Sequence, residues 1–370
     1  MEKPQLKPLL EERMKKLLGK DFRNYLEILE TEPPKSIRCN TLKISPEKLR
    51  KRLEEKRWKI VQPFKEFPEI MIVEGKFEIE DKSGKESNKD SPNSIENLSV
   101  NSYSVERSEK VGRETNTSRE RSERKLEPLS PGELGRSLEH VLGYYYVQEI
   151  ASMLPIIALE PKSNETVLDL CSSPGSKTTQ MASKMENTGT IIANEVTLGR
   201  VKILASNLER CGVSNAIITK KEGASLCRNL KNLGFSFDKI LIDAPCSGEG
   251  TLRTSKMTYK MWNIHTVRKL SKIQKNLILN AFEILKPGGF IVYSTCTHAP
   301  EENEGVLSFI KENLGEKVKI EKVNLPVKCR PGVCEWSGVS FDKDVSLACR
   351  IYPQDNDTEG FFISKIKKIE

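Results

Sequence analysis

Short apolar runs alternate with amphipathic segments from about residue 140 to the end of the chain. The runs TVLDLC, TIIANE, AIITKKE and KILIDAP predict strands, and RVKILASNLERC and LILNAFEILKPGG predict helices between them. Strands that are apolar throughout are typical of a parallel sheet covered by helices on both faces. The pattern therefore predicts an α/β fold with a doubly wound sheet, whose ligands bind at the carboxyl ends of the strands.

The first 80 residues predict a separate small α/β module. LLEERMKKLLG and DFRNYLEILE have helical periodicity and end before Pro33 and Pro34, and SIRCNTLK then predicts a strand. Ser45, followed by a proline, is a favourable start for the basic helix KLRKRLEEKRW. Further along, VLGYYYVQEIASMLPIIAL predicts one buried helix that opens the larger domain, which we place at residues 131–370.

Between the two predicted domains, residues 81–130 have no regular hydrophobic pattern. This segment is rich in Ser, Asn, Glu, Lys and Arg and poor in large apolar residues. Such a composition buries too little surface to offset the entropy of ordering, so we predict a disordered insertion. It is either a solvated linker or an arm that grips RNA.

Composition and charge exclude several classes of protein. No run of about 18 apolar residues occurs and the N-terminus has no apolar core of a signal peptide, which predicts a cytoplasmic rather than a membrane or secreted protein. Nine cysteines without regular spacing suit a reducing compartment better than a disulfide framework. Sixty basic against 52 acidic residues, a net charge of +8, permit nucleic-acid binding without proving it.

The loop DLCSSPGSKTT follows the first predicted strand of the larger domain and opens a helix. It has one glycine, Gly175, so it is neither a dinucleotide fingerprint nor a phosphate-binding loop of the Walker type. Acidic residues end three of the strands, at Asp169, Glu195 and Asp243. This set suits a nucleoside with a cationic group, as in S-adenosylmethionine. The alternative is that these residues are only helix caps and turn residues.

Two cysteines follow strands at the same predicted edge, Cys246 in DAPCSGEGT and Cys296 in YSTCTH. Carbon 5 of cytosine is a weak nucleophile, but a thiolate that adds to carbon 6 makes it reactive. A carboxyl group at ring N3 stabilises such an adduct, and a second group must help to remove the carbon-5 proton or release the product. The other cysteines show no metal-ligand spacing, so we predict no metal site.

Six motifs in order resemble the Sun/Fmu (nucleolar-protein-type) family of RNA cytosine-5 methyltransferases. They are SIRCNTLK, GYYYVQEIASMLP, DLCSSPGSKTTQ, LIDAPCSGEGT, KPGGFIVYSTCTHAPEENE and DTEGFFISKI. The resemblance implies a Rossmann-like methyltransferase sheet, with Cys296 as nucleophile and Cys246 assisting breakdown of the covalent adduct. It further implies that Asp243 contacts the target base beside the cofactor and that Lys177 supports Asp243. Two cysteines rather than one favour RNA over DNA as the substrate.

The resemblance also implies a binding site for S-adenosylmethionine. Its residues are Cys171, Ser172, Ser173, Pro174, Gly175, Ser176, Lys177, Glu195, Arg200, Glu222 and Asp243. The first loop reads CSSPGSK where the family often has CAAPGGK, and Glu222 stands where aspartate is more usual. Glu222 as a surface charge and Arg200 as a helix-surface residue are the alternatives.

The expected partner is RNA, either tRNA or rRNA, bound by a protein that we predict to be a monomer. Arg38, Asn40 and Lys43 of SIRCNTLK, with Gln148, are predicted RNA contacts, and the basic run 48–57 is either an RNA-binding face or a solvated helix face. The alternative function is a non-catalytic RNA-binding or ribosome assembly factor that keeps the same fold.

Overall fold

A computed structural model describes residues 6–78 and 125–370. Most of the predicted insertion at 81–130 lies outside these described residues. Its last part, from residue 125, is described and contains the strand Leu126–Glu127, which pairs with the N-terminal sheet. The end of the predicted insertion is therefore part of the ordered N-terminal region.

The N-terminal region is a five-stranded antiparallel sheet with helices. The strands are β1 (Ser36–Cys39), β2 (Trp58–Val61), β3 (Ile70–Phe77), β4 (Leu126–Glu127) and β5 (Tyr145–Val147). The helices are α1 (Pro8–Leu18), α2 (Phe22–Leu29), α3 (Pro46–Glu55), α4 (Glu133–Arg136) and α5 (Leu138–Val141). The strand order is β2-β3-β1-β5, with β4 on β3. Ser45 caps α3 as expected, by accepting from the Lys48 N–H.

The boundary between the two domains differs from the prediction. We expected one buried helix over VLGYYYVQEIASMLPIIAL, but Tyr145, Tyr146 and Val147 form β5, which pairs with β1 through Ile37 and Val147. Tyrosine and valine favour a strand beside an apolar neighbour, and this tertiary pairing overrides the helical periodicity. The N-terminal sheet thus extends beyond residue 131, and helix α6 (Ile150–Leu159) begins only after β5.

The larger domain contains the remaining strands and helices. Its strands are β6 (Thr166–Asp169), β7 (Thr190–Glu195), β8 (Ala216–Lys220), β9 (Phe237–Asp243), β10 (Leu285–Thr295), β11 (Val318–Glu321), β12 (Arg330–Pro331), β13 (Glu335–Trp336), β14 (Val339–Ser340), β15 (Cys349–Ile351) and β16 (Phe361–Lys368). Its helices after α6 are α7 (Ser176–Lys184), α8 (Leu198–Cys211), α9 (Gly223–Asn232), α10 (Lys256–Met261), α11 (Ile264–Glu283), α12 (Glu304–Leu314) and α13 (Pro353–Asn356).

The main sheet has nine strands in the order β12-β15-β16-β10-β9-β6-β7-β8, with β11 paired to β16. Strands β10, β9, β6, β7 and β8 are parallel, whereas β16 is antiparallel to β10. Helices α9 and α11 cover one face of the sheet, and α6 and α7 pack in the cluster on the other face. The α/β prediction is confirmed, because apolar strands such as β9 are buried on both faces.

One disulfide joins Cys329, just before β12, to Cys349 in β15. The other seven cysteines are free thiols. The expectation from cysteine spacing was that the chain has no disulfide framework, and the spacing gave no sign of this single bridge. The two cysteines come together because β12 and β15 pair, a contact that sequence separation does not reveal.

Candidate active site

The loop after β6 lies where the strand order of the main sheet reverses. The chain goes from β6 through β7 to β8 on one side and then returns to β9 on the other. Such a reversal opens a crevice at the carboxyl ends of the strands. Gly175 has a φ of +104°, and a Cβ atom there would lie 3.1 Å from Leu204. Glycine therefore allows the loop to turn directly into α7, whose N-terminus opens at this crevice.

Asp169 ends β6 and has one oxygen without a partner. Its Oδ2 accepts a hydrogen bond from Thr178 Oγ1 at 2.7 Å, whereas Oδ1 is buried and has no hydrogen-bond partner among the described residues. Burial raises the pKa of Asp169 to about 7, and the negative charge of Asp243 adds to the shift. A buried oxygen left unpaired in the protein fits a bound molecule that brings a donor or a positive charge.

Glu195 and Arg200 join the second strand to the first loop. Glu195 is 2% exposed, and its Oε1 accepts from the N–H groups of Val196 at 2.8 Å and Thr197 at 3.1 Å. Arg200 places its Nε 3.4 Å from the other carboxylate oxygen and donates from Nη2 to the Ser173 carbonyl at 2.7 Å. Arg200 thus holds the loop against the end of β7. The other predicted loop residues share this loop: Cys171, Ser172, Pro174 and Ser176.

Glu222 follows β8, and its carboxylate is bonded within the protein. It is the exposed N-cap of α9, where its two carboxylate oxygens accept from the Ala224 N–H at 3.0 Å and the Ser225 N–H at 2.8 Å. Burial opposes the shift, but these hydrogen bonds outweigh it and lower the pKa of Glu222. The structure therefore gives Glu222 a capping role, and its contact with a cofactor stays a prediction.

Asp243 and Lys177 form an ion pair in the crevice. Lys177 Nζ lies 2.8 Å from Asp243 Oδ2 and donates to Ser152 Oγ at 2.9 Å. Ser294 Oγ donates to the other oxygen, Asp243 Oδ1, at 2.8 Å. The Lys177 side chain is 8% exposed and that of Asp243 is 28% exposed. The carboxylate is thus held from two sides and still reaches the opening of the crevice, where a substrate can contact it.

The two predicted cysteines meet beside this ion pair. Cys246 follows β9, Cys296 follows β10, and their sulfur atoms are 3.2 Å apart. Both thiols are half-buried. The hydrogen bond with Cys296, together with burial, raises the pKa of Cys246 well above its ordinary value. Cys246 is therefore a neutral thiol near pH 7, positioned to donate a hydrogen bond to the sulfur of Cys296.

Glu302 holds the cysteine loops together, a role that the sequence did not indicate. It is fully buried, and its Oε2 accepts from the Ser247 N–H at 3.1 Å and from Gln274 Nε2 at 2.8 Å. Ser247 Oγ lies 2.8 Å from Thr297 Oγ1, which ties one cysteine loop to the other. Burial raises the pKa of Glu302 to about 7. The only sequence signal was its place in PEENE, directly after the second cysteine motif.

A buried ion pair stabilises the loop that follows β10. Both oxygens of Glu304 accept from Arg350 at 2.6 Å, and Arg350 also donates to the His298 carbonyl at 2.9 Å. His298 is 1% exposed and stacks on Tyr352 with 4.8 Å between ring centroids. Burial, with the charge of Arg350, lowers the pKa of His298 to about 3. His298 is thus a neutral packing residue.

Three of the four predicted RNA contacts lie between the two regions of the molecule. Arg38 is 1% exposed and donates to the Ser176 carbonyl at 2.6 Å and to Thr179 Oγ1 at 2.7 Å. Asn40 is 1% exposed and donates to the Cys211 carbonyl, and Gln148 is 5% exposed and accepts from Arg38. These partners lie within the protein, so the three side chains help to hold the two regions together, and their contact with RNA stays a prediction.

Lys43, the fourth predicted RNA contact, is exposed, and its Nζ donates to the carbonyls of Leu142 at 3.0 Å and Arg210 at 2.7 Å. Its contact with RNA stays a prediction. On the basic helix, Arg52 and Lys56 both pair with the buried carboxylate of Glu139. Part of this basic run therefore has a structural partner, because Glu139 brings a negative charge into contact with it.

Within residues 6–78 and 125–370, no three His, Cys, Asp or Glu side chains are grouped as metal ligands. None of the helices described there is both long enough and apolar enough to cross a membrane.

Two family models match the chain. Residues 156–367 match the model described as 16S rRNA methyltransferase RsmB/F. Residues 6–66 match the model described as the N-terminal domain of 16S rRNA methyltransferase RsmF. The first match contains the loop after β6, the ion pair and both cysteines of the crevice.

Named relatives act on two kinds of RNA. A tRNA (cytosine(49)-C(5))-methyltransferase of Pyrococcus abyssi is 47% identical over 234 residues, which cover 63% of this chain and 73% of the relative. A ribosomal RNA small subunit methyltransferase F of Photobacterium profundum is 42% identical over 237 residues, 64% of this chain and 47% of the relative. The match thus spans about half the length of the bacterial relative.

Solved structures share the architecture over nearly the whole chain. A methyltransferase homologue from Pyrococcus horikoshii has a TM-score of 0.72 and 29% identity, and the match covers 97% of this chain and 94% of that one. NSun6 from the same organism, crystallised with SFG, has a TM-score of 0.72 and 25% identity, with 98% of each chain covered.

Proposed function

The chain belongs to the family described as 16S rRNA methyltransferase RsmB/F, and from this premise we propose that it methylates carbon 5 of a cytosine in RNA through a covalent adduct at Cys296. The family and the names of the relatives agree with the predicted RNA cytosine-5 methyltransferase. The observation that carries the mechanism is the pair of thiols, 3.2 Å apart, at the same edge as the Asp243–Lys177 ion pair.

The crevice fits S-adenosylmethionine as the methyl donor. The unpartnered Oδ1 of Asp169 and the carboxylates of Glu195 and Asp243 give this edge acceptors and negative charge. Ribose hydroxyls and a sulfonium cation are groups that such a set binds. The structural relative crystallised with SFG, an analogue of S-adenosylmethionine, supports the same choice. When bound, S-adenosylmethionine supplies an electrophilic methyl group.

Cys296 acts as the nucleophile in this proposal. Its thiolate forms a bond to carbon 6 of the cytosine, which turns carbon 5 into a nucleophile able to accept the methyl group. Asp243 contacts the ring at N3, and the Lys177 ammonium paired with it offsets the negative charge that develops there. Lys177 and Ser294 fix the position of that carboxylate through contacts of 2.8 Å each. The residues are thus prepositioned before the base arrives.

Cys246 assists the release of the product. After methyl transfer, carbon 5 loses its proton to solvent water, and the electrons of that C–H bond re-form the ring double bond and expel Cys296 as a thiolate. Because its pKa is raised, Cys246 stays a neutral thiol and donates a hydrogen bond to the departing sulfur. Loss of this donor slows the release step more than the formation of the adduct.

Expression of the Cys246→Ala variant in cells, followed by denaturing purification and sequencing of attached RNA, tests this function. We expect one tRNA or rRNA segment to remain covalently bound to the variant. A Cys246→Ala/Cys296→Ala double variant should retain none. Cys334→Ala, which removes an exposed free thiol, is the matched control and should behave as the wild-type protein.

The outcome also decides between catalysis and binding alone. If no RNA stays attached, and the wild-type protein transfers no labelled methyl group to total RNA, the chain is a non-catalytic RNA-binding protein on the same fold. A product sensitive to RNase and labelled at cytosine carbon 5 establishes the reaction, and the attached sequence establishes whether the substrate is tRNA or rRNA.

A further inference from the structure

A cleft of about 460 Å³ lies between the N-terminal region and the larger domain. Its apolar wall includes Pro33, Pro34 and Val147, and its polar side includes Glu149, Thr254 and Glu359. The volume is within the range of roughly 300–1,000 Å³ that small-molecule sites occupy. Neither the proposed nucleophile nor the residues assigned to the methyl donor line this cleft.

Two chains of hydrogen bonds connect the cleft to the catalytic residues. On one side, the Gly360 N–H donates to the Gly250 carbonyl, and the Gly250 N–H donates to the Cys296 carbonyl, both at 2.9 Å. A Cβ atom on Gly250 would approach the Gly360 carbonyl to 2.2 Å, so only glycine permits this close passage. Backbones joined in this way lie about 4.8 Å apart, as neighbouring strands do. The two steps from Cys296 to Gly250 and from Gly250 to Gly360 therefore place Glu359, which precedes Gly360, about 10 Å from Cys296.

The second chain runs through α6. Glu149 caps this helix by accepting from the Ser152 N–H at 3.2 Å, and Ser152 Oγ accepts from Lys177, the partner of Asp243. The Glu149 carboxylate also accepts from the Glu359 N–H at 3.1 Å. The cleft is therefore fixed relative to both the nucleophile and the ion pair. A stacked nucleic-acid strand rises about 3.4 Å per nucleotide, so a distance of about 10 Å corresponds to about three nucleotides between the cleft and the target base.

The polar side of the cleft offers hydrogen-bond acceptors. The Arg253 guanidinium donates hydrogen bonds to Thr31, Asp357 and Thr358. Lys35 donates to the Leu129 carbonyl at 2.8 Å. By contrast, Glu359 Oε1 accepts only from Thr254, and its Oε2 accepts nothing from the part of the chain that the structure describes. A ligand that pairs with Glu359 must therefore bring donors.

A nucleobase meets these requirements better than a phosphate. Carboxylates repel a phosphate group, whereas the apolar wall suits the flat face of a base. Guanine presents two adjacent donors, N1–H and the N2 amino group, which a carboxylate accepts side by side. Adenine and cytosine place an acceptor beside their amino group, and uracil places acceptors on both sides of its single donor.

We propose that this cleft binds a guanine within three nucleotides of the target cytosine and that Glu359 reads its N1–H and N2 amino groups. The proposal rests on the proposed function, because it assigns sequence selectivity to the same RNA substrate. Recognition of a neighbouring base explains how an enzyme with a small catalytic crevice selects one cytosine among many. Unstacked RNA bases are commonly read in this way, by hydrogen bonds to their Watson–Crick edge.

The test uses the full-length protein and the RNA segment recovered with Cys246→Ala. That segment is synthesised with each of the four bases, and with inosine, at the three positions on either side of the target cytosine. We expect one position at which guanine is required, with kcat/KM about tenfold lower for the other bases. Inosine keeps N1–H and lacks the N2 amino group, so it should fall between guanine and adenine.

The Glu359→Gln variant tests whether Glu359 recognises the guanine. Glutamine keeps the size of the side chain and an acceptor for Thr254 but exchanges one carboxylate oxygen for an amide donor. We expect the preference for guanine to fall about tenfold, whereas the exposed and remote Glu316→Gln control keeps it.

Each result has a single meaning. A wild-type protein that methylates no RNA refutes the proposed function. Methylation without a required guanine, or a guanine preference that survives in folded Glu359→Gln, refutes the cleft proposal and leaves the proposed function standing. If Glu359→Gln does not fold, the inosine series in the wild-type protein still decides the matter.

Discussion

The crevice edge of the main sheet and the interface with the N-terminal region both collect polar side chains, but they use them differently. At the crevice, Cys246, Cys296 and Asp243 keep part of their surface open. At the interface, Arg38 and Asn40 are 1% exposed, and both donate hydrogen bonds to residues of the larger domain. Polar side chains are thus open to a ligand at the crevice and are bonded within the protein at the interface.

The difference follows from the backbone. Loops at the carboxyl ends of parallel strands converge on a crevice, so their side chains face a shared opening. Strand β1, in contrast, has strands on both sides and the larger domain against it, so a charged residue there must find a partner inside the protein. A basic residue in a motif is therefore evidence of function only when its place in the sheet leaves it open.

Replacing Cys296, the proposed nucleophile, should have the largest effect at the crevice. Cys296→Ala should lower methyl transfer at least about 10³-fold, because the covalent route is lost while substrate binding remains. Its unfolding temperature should stay close to that of the wild-type protein, since the thiol is half-buried and alanine is small. The measurement is transfer of labelled methyl to the captured RNA segment, with Cys334→Ala as control. Full activity of Cys296→Ala would refute the assignment.

Replacing Arg38 tests the interface side. Arg38→Met removes the hydrogen bonds to Ser176 O, Thr179 Oγ1 and Gln148 Oε1, and we expect the free energy of unfolding to fall by about 3 kcal/mol. Denaturant titration measures this loss. The exposed Lys48→Met control should change it by less than about 0.5 kcal/mol.

The salt dependence of RNA binding separates the two roles of Arg38. A residue that neutralises a phosphate lowers the slope of log K against log salt by about one when it is removed. We expect an unchanged slope for Arg38→Met. A reduced slope with unchanged stability would contradict the interface role and support the predicted RNA contact.

The sequence predicted the crevice well because its signals are local. A loop with one glycine, and a cysteine directly after each of two strands, place Gly175, Cys246 and Cys296 at one edge once the sheet is parallel. The interface depends on pairs that are distant in sequence, such as Arg38 with Thr179, 141 residues apart. Periodicity contains no information on such pairs, and for the same reason it missed β5 and the Cys329–Cys349 bridge.

Glu302 combines features of both regions, because it is buried like the interface residues but holds the loops of the crevice in place. Its folded-state pKa of about 7 is above that of an exposed glutamate, so the folded protein holds the proton more tightly. This contribution to stability is complete below about pH 4.5 and is lost as the pH rises through 7. Glu302→Gln keeps an acceptor for Ser247 and Gln274 without the charge.

Relative to the wild-type protein, Glu302→Gln should therefore gain stability as the pH rises from 5 to 8, by on the order of 2 kcal/mol. Denaturant titrations across this pH range measure the difference between the two proteins, and Glu316→Gln, which is exposed, should run parallel to the wild type. A difference that stays constant with pH would show that Glu302 has an ordinary pKa.

Replacing Glu222 should have the smallest effect on stability. This residue lies at the crevice edge, but its carboxylate is hydrogen-bonded within the protein, as the polar groups at the interface are. Both of its oxygens accept N–H groups of α9, so Glu222→Ala should lower the free energy of unfolding by about 1 kcal/mol. Asparagine is also a good N-cap, and Glu222→Asn should restore that stability while removing the charge. We expect both variants to bind S-adenosylmethionine as the wild type does, measured by calorimetry. Weaker binding by Glu222→Asn at full stability would instead mean that the carboxylate contacts the cofactor, as the family resemblance implied.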